Sequence, residues 1–318
     1  MRDRIGYLHV PKAAGMSITN ALTRAAESSM SERGRTMAIC PTVMDRSLFG
    51  SFDDFESFAD AQRSMVLQGP REELGEYPVV IGHFNAGSLR VGRDADDIAV
   101  LLREPRARLL SLYTFWRSWT EAEHASWGSY DASRRAASRT WAEFLHDAAI
   151  APQIDNVVAR LVLGPHPLVP VDGFIPAAAV DQVAEEALEA LEQLGFVDVV
   201  ENDAACWSRL GAWAQLTLVV GVMNETSSEP PEREVWDAAL EAPTLDALRR
   251  RTEIDRRLWI AAASPHSNAH DDLDDRAAHI AASKFSSFGL ELPRRVGATR
   301  VRASRRWWRP QRTPRAAE

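Results

Sequence analysis

Three short segments of the chain are almost wholly apolar: Ile5 to Val10, Val79 to Phe84 and Ile98 to Leu102. Runs of this length, bounded by turn residues, predict strands buried on both faces, as in a parallel sheet. The first run breaks into Pro11-Lys12-Ala13-Ala14-Gly15-Met16-Ser17 and then into a helix predicted over 17–28. The third ends in Arg103-Glu104-Pro105-Arg106 and opens a helix over 107–119. There Leu109, Leu112, Tyr113 and Trp116 keep the three- and four-residue spacing of a buried face, and Pro105 suits a first turn, where its missing N–H costs nothing. Further helices are predicted at 141–148, 153–163, 177–194, 203–213, 232–240, 244–262 and 272–284, with a short strand at 216–222. Residues 29–77 read as irregular, with an apolar and acidic patch at 48–58; residues 119–140 read as a polar loop or short helix placed to cover a site. Strands alternating with helices predict an α/β fold, a mostly parallel central sheet flanked by helices. No repeat of fixed period is present.

The turn after the first strand carries the chemistry. Small residues let the backbone pass close to a ligand, and the following helix points free N–H groups and its positive dipole end at that turn. Lys12 adds a full charge, and it is a rare residue here: of 37 Lys+Arg, only Lys12 and Lys284 are Lys. A Lys kept at such a turn suits a compact ammonium rather than a planar fork. The spelling is neither G-x-x-x-x-G-K-[ST] nor G-x-G-x-x-G. Arg103 and Ser111 lie eight residues apart, on a strand end and about two turns into the next helix, where both can close on one phosphate. Gly82-His83 ends the second strand, and active groups of open α/β sheets gather at such carboxyl ends. An imidazole there titrates near neutral pH and suits a general base.

His9 to Ser17 resembles the 5′-phosphosulfate loop of the carbohydrate sulfotransferases that use 3′-phosphoadenosine 5′-phosphosulfate (PAPS), nearest the heparan sulfate 2-O-sulfotransferase-like branch. Leu-Arg-Glu-Pro-x-x-Arg-x-x-Ser-x-Tyr, from Leu102 to Tyr113, is similar to the family's 3′-phosphate signature. The resemblance implies a P-loop-like nucleotide-binding sulfotransferase fold over residues 1–292. It implies that Pro11, Lys12, Ala13, Ala14, Gly15, Met16 and Ser17 hold the 5′-phosphosulfate, largely through backbone N–H groups from Ala13 to Ser17. By the same resemblance Arg103 and Ser111 hold the 3′-phosphate, His83 is the catalytic base, and Lys12 stabilises charge on the oxygen between sulfur and the 5′-phosphate. The expected reaction moves a sulfuryl group from PAPS to a hydroxyl and releases adenosine 3′,5′-bisphosphate, with no metal. The expected acceptor is a glycan, a glycolipid or a small molecule, against which Trp116, Trp119 and Trp127 can stack. Met16 departs from the family, which has Thr or Ser there, and so loses one hydroxyl donor. A non-catalytic nucleotide-binding homologue is the alternative; a kinase is disfavoured for want of a Walker A loop or an Asp-rich metal site. Weaker likeness covers residues 4–290: Asn156 with Arg160, the helix–strand–Glu stretch ending at Val200-Glu201-Asn202, and Asp255 with Leu258-Trp259.

Composition narrows this picture. The chain has 318 residues, 45% hydrophobic and 26% charged, ordinary for a globular enzyme. No apolar stretch reaches 18 residues, and Met1-Arg2-Asp3-Arg4 enters the first strand at once, so neither a membrane span nor a signal peptide is expected. Cytoplasmic location is the expectation, and the Ala- and Arg-rich, Lys-poor usage is associated with high-GC bacterial genomes. Cys40 and Cys206 have no metal-type spacing and make no disulfide framework. Net charge is −8, yet residues 293–318 hold nine Arg against Glu318 alone. This separate, flexible basic tail, with Trp307 and Trp308, is expected to touch an anionic membrane at the inner face or to pack on the acidic body. No nucleic-acid partner is expected.

Overall fold

The computed structural model describes residues 1–32, 39–67, 71–221, 241–267 and 272–292; the helix expected at 232–240 and the tail at 293–318 lie outside the described residues. The chain enters β1 (Ile5–Leu8) and then α1 (Gly15–Glu32), which starts two residues earlier than predicted. β2 (Ile39–Met44), α2 (Asp60–Arg63), β3 (Val79–His83) and α3 (Ala86–Leu89) follow, then β4 (Ile98–Leu102) and α4 (Pro105–Arg117). Five short helices come next: α5 (Glu121–Ala125), α6 (Ala132–Ser138), α7 (Trp141–His146), α8 (Ala151–Ile154) and α9 (Val157–Leu163). After them come α10 (Val180–Glu192), β5 (Phe196–Val199), α11 (Asp203–Ala214), α12 (Ala242–Ala263) and α13 (Leu273–Ser286). The strands β3-β1-β4-β5 form a parallel run, and β2 extends it beside β3, giving the order β2-β3-β1-β4-β5. The predicted α/β architecture, a parallel sheet between helices, is therefore present. No helix among the described residues is long and apolar enough to cross a membrane.

Alternate residues of each strand serve opposite faces. Ile5, Tyr7, Ile81 and Leu101 pack with Ile18 and Leu22 of α1 and Leu210 of α11. Leu8, Val80, Val100 and Leu102 pack on the other face with Val158 of α9, Val183 of α10 and Leu258 of α12. β1, β3, β4 and β5 are thus covered on both sides, which is why the sequence reads as apolar runs rather than alternation.

Three predicted elements differ. β2 falls in the stretch read as irregular: Pro41 interrupts its pattern, and the register shifts between Cys40 and Val43. Proline is tolerated because β2 pairs only with β3, at the sheet edge. The helix predicted at 153–163 breaks at Asn156, whose φ of 46° is left-handed. Tertiary bonds hold that break, since the Asn156 side chain donates to Arg250 O at 3.0 Å and accepts from Ile254 N at 2.9 Å. Residues 216–221 form no strand, and Val219 is 83% exposed. An apolar run with no neighbouring strand to pair with gains nothing from extension.

Asn156 and Arg160, matched by the family resemblance, do not line the main cavity. They belong to a buried scaffold built on Asp155. Its carboxylate accepts from Arg160 at 2.9 Å, Arg251 at 3.0 Å and Ile175 N at 2.8 Å. Asp255 accepts from Val158 N and Ala159 N at 3.0 Å each, capping α9 onto α12. Removing Asp155 leaves two buried guanidiniums without their carboxylate. Asp155→Ala is expected to lower unfolding free energy by about 3–5 kcal/mol in denaturant titration; a loss below about 0.5 kcal/mol, the scale of an ordinary surface substitution, contradicts this account.

Candidate active site

All five strands end at one cavity of about 1180 Å³. Met44 reaches it from β2, His83 from β3, Arg103 from beyond β4 and Glu201 from beyond β5, while the segment after β1 forms its floor. Pro11, Lys12, Ala14, Gly15, Met16, Ser17, His83, Arg103 and Ser111 all line this space, so nine of the ten residues singled out in sequence converge. Ala13 is the exception. It is fully buried, and its N–H is spent on Val10 O at 3.2 Å, which keeps the turn closed instead of serving a ligand.

The loop is held in an unusual shape. Lys12 and Ala14 have φ of 66° and 56°, left-handed values that cost non-glycine residues energy and persist only where the surroundings impose them. Gly15 is demanded by packing: a Cβ there would lie 1.4 Å from His9 Nε2. The first turn of α1, which begins at Gly15, opens on the cavity through Gly15, Met16 and Ser17. Met16 is 45% exposed at this edge, where the family resemblance would place a hydroxyl.

Positive charge gathers around the loop. Arg103 Nη1 donates to Lys12 O at 3.0 Å, tying the end of β4 to the turn after β1. Lys12 Nζ sits 3.8 Å above the Phe115 ring. Lys284, from α13, completes a trio in the same cavity. Among the described residues no carboxylate lies within ion-pairing distance of these three. Burial, with Arg103 and then Lys284 nearby, pulls the Lys12 ammonium down to about 8. Burial and Arg103 likewise lower Lys284. Arg108, one turn into α4 and fully buried, adds a fourth positive charge near Arg103, with the opposite charge of Asp255 also acting on it. Glu201 lines the same cavity without an ion pair to these three, and with Glu104 it offsets part of the Arg103 charge. Its oxygens accept from Glu104 N at 2.8 Å and Trp259 Nε1 at 3.0 Å, and burial raises its carboxyl.

His83 is oriented for proton transfer. Its Nδ1 lies 2.7 Å from His9 O. A carbonyl only accepts, so Nδ1 carries the proton and Nε2 keeps its lone pair. The His83 ring stacks on His9 at 4.1 Å, and Gly15 leaves the room that His9 needs. Burial depresses His83 to about 4, so the ring is neutral at physiological pH.

Trp116, Trp119 and Trp127 also line the cavity, and residues 119–140, expected as a loop or short helix, border it with two short helices. Lys284, Phe49, Phe115 and Tyr130 were not singled out in sequence as site residues. For Lys284 a signal existed, because the chain's two lysines meet here. Comparison with protein-family models, curated proteins and solved structures returned no match.

The His83 position makes a pH prediction. The folded value near 4 lies below the ordinary 6.5, so between these values the unfolded chain binds more protons. His83 therefore contributes stability that is complete above about 6.5 and is lost as pH falls towards 4. The His83 Cε1–H resonance should titrate near pH 4 by NMR. An inflection at the ordinary 6.5 contradicts the buried, Nδ1-bonded ring.

Proposed function

We propose that this chain is a PAPS-dependent sulfotransferase of the P-loop-like nucleotide-binding fold, related to the heparan sulfate 2-O-sulfotransferase-like enzymes. The observation that carries the reading is the convergence of Lys12, Arg103 and Lys284, without a carboxylate partner among the described residues, on the strained loop ahead of α1. A cavity that keeps desolvated cations unpaired is built for a polyanion. PAPS carries its charge as two groups, and the site offers donors from two different strand–helix junctions. The first turn of α1 with Lys12 suits the 5′-phosphosulfate. Arg103 and Ser111, from β4 and α4, suit the 3′-phosphate.

The same arrangement supports in-line transfer. His83 Nε2 takes the acceptor proton as the acceptor oxygen bonds to sulfur. The bond from sulfur to the 5′-phosphate oxygen breaks, and its electron pair leaves with adenosine 3′,5′-bisphosphate. Lys12 stabilises the charge that develops on that oxygen. Positioning and electrostatics dominate, as in phosphoryl transfer. Met16, exposed where a hydroxyl would assist, favours the second reading, a nucleotide-binding homologue without turnover.

Calorimetric titration with adenosine 3′,5′-bisphosphate, AMP and ATP tests the reading. Binding near micromolar that requires the 3′-phosphate and weakens at least tenfold in Arg103→Ala is expected. Equal affinity for all three nucleotides, or no binding, contradicts it.

A further inference from the structure

The cavity has two chemically different ends. Its cations lie on the β1, β4 and β5 side: Lys12, Arg103 and, facing them from α13, Lys284. On the β2 and β3 side the lining contains no Asp, Glu, Lys or Arg among the described residues. There Met44, Leu48 and Phe49 follow β2, and Met44 pairs directly with His83 across the sheet. Phe49 meets the Tyr130 ring at 5.0 Å and the Trp127 ring at 6.2 Å. Trp127 stacks with Trp119 at 6.2 Å, and Trp119 meets Phe115 at 5.5 Å. Phe115 is the ring beneath Lys12 Nζ. An unbroken aromatic wall therefore runs from the Lys12 ammonium to the edge of the sheet.

Two of the polar groups of this end are already engaged. Tyr130 OH accepts from Gln153 Nε2, and Ser133 Oγ is 3.0 Å from His124 Nδ1. A sugar carries several hydroxyls, each needing a partner when buried, and this wall has few to offer. At about 1180 Å³ the cavity also exceeds the range of an ordinary single-ligand pocket, about 300–1,000 Å³. A nucleotide at the cationic end leaves space for a second, flat molecule beside His83.

We infer that the acceptor is a phenol-type hydroxyl on a flat apolar ring system, laid against the wall of Phe49, Trp127 and Tyr130 with its oxygen at His83. This rests on the sulfotransferase reading of the same cavity and replaces a glycan as the expected acceptor. The phenol O–H gives its proton to His83 Nε2, the phenolate oxygen bonds to sulfur, and adenosine 3′,5′-bisphosphate departs with the electron pair of the broken sulfur–oxygen bond. Burial makes His83 a weak base, which fits an acidic phenol better than a sugar hydroxyl.

The test uses the full chain and two neutral probes, 2-naphthol and lactose. Quenching of tryptophan fluorescence reports binding with and without saturating adenosine 3′,5′-bisphosphate, and labelled PAPS reports transfer. The expected result is saturable 2-naphthol binding at least tenfold tighter than lactose, and label appearing in 2-naphthol. Trp127→Ala should weaken 2-naphthol at least tenfold while leaving adenosine 3′,5′-bisphosphate affinity unchanged. Because Trp127 also packs on Phe58, the selectivity of the wild-type protein stands as an independent readout. Tighter binding of lactose, label entering lactose alone, or no saturable 2-naphthol binding overturns the inference. Failure to bind adenosine 3′,5′-bisphosphate, with 2-naphthol still bound, overturns the sulfotransferase reading instead.

Discussion

Positive charge held out of ion-pairing reach of a carboxylate is the constraint on which the site depends. Elsewhere guanidiniums meet carboxylates directly: Arg160 and Arg251 with Asp155, Arg209 with Asp198. At the cavity they do not. Lys12, Arg103 and Lys284 share one space with no carboxylate in pairing distance among the described residues, and Arg108 lies behind them. Desolvating cations without partners opposes folding, so the surrounding structure must offset that cost. A polyanion entering the cavity would relieve it, and part of its binding energy would come from that relief.

The frame that tolerates this strain is the parallel sheet. Its strand ends deliver each group from a different direction, and both faces are sealed by helices. Arg103 is pinned by the Lys12 carbonyl, while the adjacent Glu104 caps α4 by accepting from Ala107 N at 2.8 Å. The loop, Gly15, His9 and His83 form a single packed unit: the missing Cβ admits His9, His9 carries the ring of His83, and its carbonyl sets the His83 tautomer. The loop and the His83 ring are thus placed by the same contacts.

The parts legible in sequence were those encoded locally. Pro11 to Ser17, Gly82-His83 and Arg103 to Ser111 each combine a strand end with a turn or helix start, and the parallel sheet brings them together. What sequence did not show depends on distant contacts. β2 became a strand only by pairing with β3 around Pro41. The aromatic wall joins Phe49 to Tyr130 and Trp127, more than seventy residues away in the chain. Asn156 and Arg160 resembled site residues but serve the Asp155 scaffold, because Asn156 breaks its helix to reach α12. Ala13 sits in the motif, yet its N–H closes the turn.

The most direct test is a crystal structure of the protein with adenosine 3′,5′-bisphosphate. The account predicts the 5′-phosphate against the first turn of α1 within reach of Lys12, and the 3′-phosphate against Arg103 and Ser111. His83 Nε2 should face the open aromatic end. A nucleotide bound outside this cavity, or with its two phosphates exchanged between these sets of donors, would contradict the account.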